Sequence, residues 1–152
     1  MCGIVGYTGH REASHILIEG LKKLEYRGYD SSGLAVENND GNVEIVKAKG
    51  RLSELITKTD NGNSIKGECG IAHTRWATHG EPSETNAHPH CSDDKTVIAV
   101  HNGIIENYKE LKEKLLSKKY TFYSETDTEV LTKLIDYYYK KYNVGPIDAL
   151  AK

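Results

Sequence analysis

A cysteine stands directly after the initiator methionine. A small residue at that position lets an aminopeptidase remove Met1, so Cys2 is expected to become the mature N-terminus. One residue then carries both a thiol and an amine. An α-amino group titrates near about 7.7–8.0 and a thiol near about 8.5, so the amine can take the thiol proton near neutral pH. The simpler reading of Cys2 is a small residue in a strand. A thiolate attacking an amide also needs donors aimed at the oxyanion, each worth roughly 2.7–4 kcal/mol. His101-Asn102-Gly103 offers a side-chain amide and, at Gly103, an accessible backbone N–H, although an ordinary Asn-Gly turn has the same composition. Arg75, next to Trp76, could clamp a carboxylate in bidentate fashion or form a surface salt bridge. Asp127 opens a helix, where it could favour the dipole or bind an ammonium group. The run Ala87-His88-Pro89-His90-Cys91 contains zinc-ligand residue types, but its spacing fits neither a C-x2-C nor an H-x3-H arrangement. Pro89 makes that run extended, which predicts that His88 and His90 point in opposite directions as loop hydrogen-bonders. Cys69 reads as an inert buried thiol.

These residues sit at the ends of recognisable elements. Cys2 to Thr8 is a short apolar run with Gly3 and Gly6, consistent with a strand buried on both faces. Ala13, Ile16, Leu17, Leu21 and Leu24 line one face of a helix that should end near Arg27-Gly28. Gly33 to Glu37 and Val43 to Lys47 flank a polar cluster with an Asp-Gly step, the pattern of a hairpin. A short amphipathic piece around Leu52, Leu55 and Ile56 precedes strands at Cys69 to Arg75 and Thr96 to Val100. The irregular stretch Trp76 to Lys95 between those strands is longer than packing requires, which points to a functional or a mobile segment. Two helices follow. One presents Ile105, Tyr108, Leu111, Leu115 and Leu116, and the next presents Val130, Leu131, Leu134 and Ile135 behind a Thr126/Glu129 capping box. Tyr137-Tyr138-Tyr139 reads as helix with one packed and one wet side. Pro146 to Lys152 reads as the opening of a further helix.

Composition narrows the class of protein. The 152 residues carry 20 Lys+Arg against 22 Asp+Glu, a formal charge of −2. That is too weak a field to hold a nucleic acid backbone or an acidic membrane. The length suits one domain with its own core. No apolar run approaches a bilayer span and the start has no signal-peptide pattern, so a cytoplasmic protein is expected. Three cysteines, an odd number, read as free thiols.

Five tracts occur in the order of one family. They are Cys2-Gly3-Ile4-Val5-Gly6-Tyr7, Glu25-Tyr26-Arg27-Gly28-Tyr29-Asp30-Ser31-Ser32-Gly33, His73-Thr74-Arg75-Trp76-Ala77-Thr78-His79-Gly80, His101-Asn102-Gly103-Ile104-Ile105-Glu106-Asn107 and Ser124-Glu125-Thr126-Asp127-Thr128-Glu129. Over residues 1–152 the chain resembles the glutaminase domain of glucosamine-6-phosphate synthase, a class II (type 2) glutamine amidotransferase with an N-terminal-nucleophile fold. The tracts around Arg27 and Arg75 resemble this hexosamine-forming branch more than amidophosphoribosyltransferase, the alternative amidotransferase with another acceptor. A catalytically silent glutamine- or metal-binding module is the alternative of a different class. The resemblance implies an α+β fold, a four-layer αββα sandwich of two antiparallel sheets between helices, incomplete at its C-terminus and without the sugar isomerase domains.

The resemblance also assigns roles. Cys2 would be the nucleophile toward the side-chain amide of L-glutamine, with its own amine as base. Asn102 and Gly103 would form the oxyanion hole, and Arg27 would order the site. Arg75 would bind the substrate α-carboxylate and Asp127 its α-ammonium, with Trp76, Thr78 and His79 shaping the pocket. Ammonia would pass to fructose 6-phosphate in a full-length, homo-oligomeric enzyme. No metal and no organic cofactor is implied.

Overall fold

The computed structural model describes residues 2–27 (at Arg27 the backbone only), 30–77 and 80–152. Met1, the Arg27 side chain, Gly28, Tyr29, Thr78 and His79 lie outside the described residues. In chain order the elements are β1 (Gly3–Thr8), α1 (Ala13–Leu24) with a 3-10 turn at Glu25–Arg27, β2 (Ser31–Glu37), β3 (Val43–Lys49), α2 (Leu52–Lys58), β4 (Cys69–Arg75), β5 (His90–Cys91), β6 (Ile98–Ala99), α3 (Tyr108–Leu116), α4 (Asp127–Tyr142) and α5 (Pro146–Leu150).

Four antiparallel strands form one sheet in the order β1-β4-β2-β3, and β5 pairs with β6 in a second. The expected hairpin is β2-β3, with Glu37 opposite Val43 and Gly41 at a φ of 77° in the turn. Side chains alternate across β2. Leu34 and Val36 join Leu17, Ile18 and Leu21 of α1 and Leu52 and Leu55 of α2 in the apolar core. Gly33 faces the opposite way, against the backbone of His88, whose carbonyl oxygen occupies the space a Cβ would need. The first six residues of β2 are therefore all buried, because helices cover one face and the 88–99 layer covers the other. With α4 packed outside β5 and β6, the layers run helix, sheet, sheet, helix. This is the α+β arrangement expected from the sequence.

Several local expectations require correction. Cys69 is exposed rather than buried. It opens β4 on the face away from α1, beside a cleft of about 360 Å³ shared with Ala35, Ile71 and Ile98. Helix α3 begins at Tyr108, three residues later than its apolar pattern suggests, and the Ile105 N–H ahead of it donates to Asp127 Oδ2 at 2.8 Å. Leu116 is exposed while Leu115 is fully buried. The apolar side of α4 is only half right: Val130 is buried, but Leu131, Leu134 and Ile135 are half-buried. Its deepest stripe is polar, with Glu129, Thr132, Lys133 and Asp136 all at most 1% exposed. Charge pairing makes that stripe tolerable. Lys133 Nζ lies 3.0 Å from Glu129 and 2.8 Å from Asp93, and Tyr120 donates to Asp136 at 2.8 Å.

The start of α4 follows one half of the capping-box pattern. Thr126 Oγ1 accepts from Glu129 N at 3.3 Å. The Glu129 carboxylate instead takes the N–H groups of Tyr123 and Ser124, at 3.0 and 2.7 Å, and so fixes the loop that leads into the helix.

Candidate active site

Register places the first functional group. Gly3 pairs with Thr74, so Cys2 emerges beside the end of β4, where the chain leaves the sheet through Arg75 and Trp76. Trp76 N donates to Cys2 Sγ at 3.3 Å, and the thiol lies 3.6 Å from the Trp76 carbonyl oxygen. The sulfur of the half-buried Cys2 is thus held by the backbone of a single residue just past a strand end.

Asn102 reaches the same residue from the opposite sheet. Its Nδ2 donates to the Cys2 carbonyl oxygen at 3.2 Å, and its Oδ1 lies 2.8 Å from His73 Nε2. Gly103 follows, and a Cβ there would meet the His101 ring at 2.8 Å, so a side chain would displace that ring. The chain only bends at Gly103, and the Asn102 amide is committed to a tertiary contact across the molecule.

Arg75 is 4% exposed. Its guanidinium donates to the Gly80 carbonyl at 3.2 Å and the Glu81 carbonyl at 3.3 Å, with the Asp30 carboxylate 4.0 Å away. Asp30 also accepts from Ala77 N and, at 2.8 Å, from Ser31 Oγ. One carboxylate therefore steadies both Arg75 and the segment that holds the Cys2 sulfur. Asn86 links the 80s loop to the entry of α4, donating to the Glu81 carbonyl at 3.1 Å and the Glu125 carboxylate at 2.9 Å. Asp127, 7% exposed, begins α4 and ties it through the Ile105 N–H to the chain just beyond Gly103.

Beneath Asn102 lies a group of buried histidines. The His73 and His88 rings stack at 4.2 Å with 14° between planes, and the His90 ring meets His88 edge-on at 4.8 Å. His88 and His90 do not point in opposite directions as an extended segment predicts. The His101 N–H donates to His88 Nδ1 at 3.4 Å, and His90 engages Tyr123 Oη at 3.0 Å and Thr126 Oγ1 at 2.8 Å. Burial is the main force keeping all three neutral. It lowers His73 to about 4 against the pull of its Asn102 hydrogen bond, and holds His88 and His90 lower still, helped by the nearby Arg75 and Lys47 charges. Burial also lowers Lys47 to about 8. Among the described residues, no three His, Cys, Asp or Glu side chains are grouped to hold a metal ion.

A glutamine amidotransferase domain family matches residues 57–142, more than half of the chain. The chain belongs to that family. Glutamine–fructose-6-phosphate aminotransferase (isomerizing) of Clostridium acetobutylicum is 61% identical over 140 residues, covering 92% of this chain and 23% of the relative. The enzyme of the same name from Caldanaerobacter subterraneus is 56% identical over 155 residues, covering all of this chain and 24% of the relative. The chain thus spans about a quarter of the length of these relatives. Among solved structures, the glutamine phosphoribosylpyrophosphate amidotransferase of B. subtilis superposes with a TM-score of 0.80 at 26% identity, covering 99% of this chain and 31% of that one. A structure described as the allosteric regulatory enzyme of purine biosynthesis gives 0.82 at 27%, covering 99% and 32%. The glutamine amidotransferase domain accordingly keeps its fold across relatives named for different acceptors.

Of the residues singled out in the sequence, this amidotransferase domain brings Cys2, Trp76 and Asn102 into direct contact, with Gly103 and Arg75 next in chain to two of them. Asp127 reaches the same region through the backbone of Ile105. The Arg27 side chain, Thr78 and His79 lie outside the described residues. Sequence reasoning missed His73, Asp30 and Asn86. The available signal was strand parity: His73 lies two residues before Arg75 on β4, on the face opposite the apolar core.

Proposed function

We propose that the domain hydrolyses the side-chain amide of L-glutamine through Cys2. The observation that carries this reading is the contact of Cys2 with both the Trp76 peptide and the Asn102 amide. The freed α-amine takes the thiol proton, and the thiolate attacks the amide carbon. The Asn102 amide has two N–H groups; one donates to the Cys2 carbonyl and the other is available to the oxyanion, as is the Gly103 N–H. Collapse breaks the C–N bond, and the amine returns its proton to the leaving ammonia. Water then attacks the thioester with the same amine as base, giving glutamate and regenerating the thiol.

Arg75 and Asp127 bind the substrate α-carboxylate and α-ammonium. A glutamine inside a peptide offers neither charge to these two groups, which selects free glutamine. Trp76, Thr78 and His79 shape this pocket and Arg27 orders it. In the longer protein the ammonia goes to fructose 6-phosphate, giving glucosamine 6-phosphate in the cytoplasm. Relatives at 56–61% identity named for that acceptor support this, against 26–27% for the phosphoribosylpyrophosphate and purine enzymes. No helix among the described residues is long and apolar enough to cross a membrane, which agrees with that location. Kinetics test the proposal. Cys2→Ala should abolish ammonia release while glutamine still binds in calorimetry, and Asp127→Ala should chiefly raise KM. Ammonia release by Cys2→Ala at the parent rate would overturn it.

A further inference from the structure

We propose that His73 is a positioning residue for the oxyanion hole, holding the Asn102 amide so that its N–H groups face Cys2. This inference rests on the oxyanion role given to Asn102 above.

The two contacts of Asn102 settle the direction of its amide. The Cys2 carbonyl can only accept, so Nδ2 must face it, and Oδ1 therefore faces His73. An Oδ1 atom needs a donor, so His73 must carry its proton on Nε2. The opposite orientation would put an oxygen against the Cys2 carbonyl and a lone pair where the reaction needs a donor. Asn102 is itself exposed and lies in irregular chain just before the bend at Gly103, so nothing in its own packing enforces the choice. His73 supplies that constraint because it is fully buried on the central strand β4. Its ring is clamped by the stacked His88, which also takes the N–H of His101, the residue before Asn102. Two neighbouring histidines thus fix the Asn102 side chain and the backbone just before it.

The glutamine side-chain nitrogen lies about as far from Cα as histidine Nε2, whereas that of asparagine mimics Nδ1. His73→Gln can therefore still donate to Asn102, and His73→Asn cannot. Glutaminase kinetics on the intact protein should show kcat for His73→Asn falling by about 10- to 10³-fold, the upper limit being full loss of one oxyanion donor. KM for glutamine should stay within about threefold, and His73→Gln should keep kcat within about threefold of the parent. In an Asn102→Ala background, His73→Asn should cause no further loss. Equal damage from Gln and Asn, a change confined to KM, or an undiminished effect in the Asn102→Ala background would overturn the proposal. An Asn102→Ala protein with unaltered kcat would instead refute the oxyanion reading on which it rests. If His73→Asn does not fold, His73→Gln decides alone: retained kcat supports the role, and a fall to the Asn102→Ala level contradicts it.

Discussion

Acid should unfold this domain earlier than its carboxylates alone would dictate. His73, His88 and His90 stay neutral in the fold because burial opposes their charging, and Arg75 and Lys47 add to the barrier. In the unfolded chain each titrates near about 6.5. Below that pH the unfolded state binds protons that the folded state refuses, so stability falls as pH falls. One unit below the unfolded value, each group contributes about 1.4 kcal/mol, and the three together about 4 kcal/mol between pH 8 and pH 5.5. That is a large part of the roughly 5–15 kcal/mol that holds a typical domain together. With a urea slope near about 2 kcal/mol/M, the unfolding midpoint should drop by about 2 M. Urea titrations at pH 8.0, 6.5 and 5.5, followed by circular dichroism, measure it. His90→Gln should remove about a third of the pH dependence. An unchanged midpoint between pH 8 and 5.5 would show that the histidines charge freely within the fold and would refute the reasoning.

Further substitutions probe the packing that positions the site. Gly33→Ala puts a Cβ into the His88 carbonyl and should cost about 1–3 kcal/mol in thermal or urea unfolding, whereas Gly41→Ala probes only turn strain. Lys133→Met leaves the fully buried Glu129 without its countercharge and should cost about 3–5 kcal/mol. Adding Glu129→Gln to it should recover part of that loss, and a larger loss in the double variant would contradict the pairing.

The elements legible in the sequence were those whose own periodicity decides them. Strand β4 runs where its pattern places it, at Cys69–Arg75, helix α1 starts as expected at Ala13 but gives way to a 3-10 turn after Leu24, short of the expected end near Arg27, and Thr126 marks the start of α4 through a bond within four residues. The two-residue strand β5 carries no period and exists only because His90 and Cys91 meet Ala99 and Ile98. The buried face of α4 was hidden for a related reason: nothing near Lys133 in the chain announces its burial, and Asp93, which pairs with it, lies forty residues away. At the site, Cys2, Asn102 and Arg75 stood out by chemical type. His73 did not, since alternation along β4 shows that it faces inward but not that Asn102 lies above it.

The central claim concerns the sulfur of Cys2. Mature protein incubated with a glutamine-mimicking electrophile, then digested and mapped by mass spectrometry, should carry one adduct on an N-terminal peptide that begins with Cys2 and lacks Met1. Modification at Cys69 or Cys91 with Cys2 untouched, or a reactive Cys2 still preceded by methionine, would contradict it.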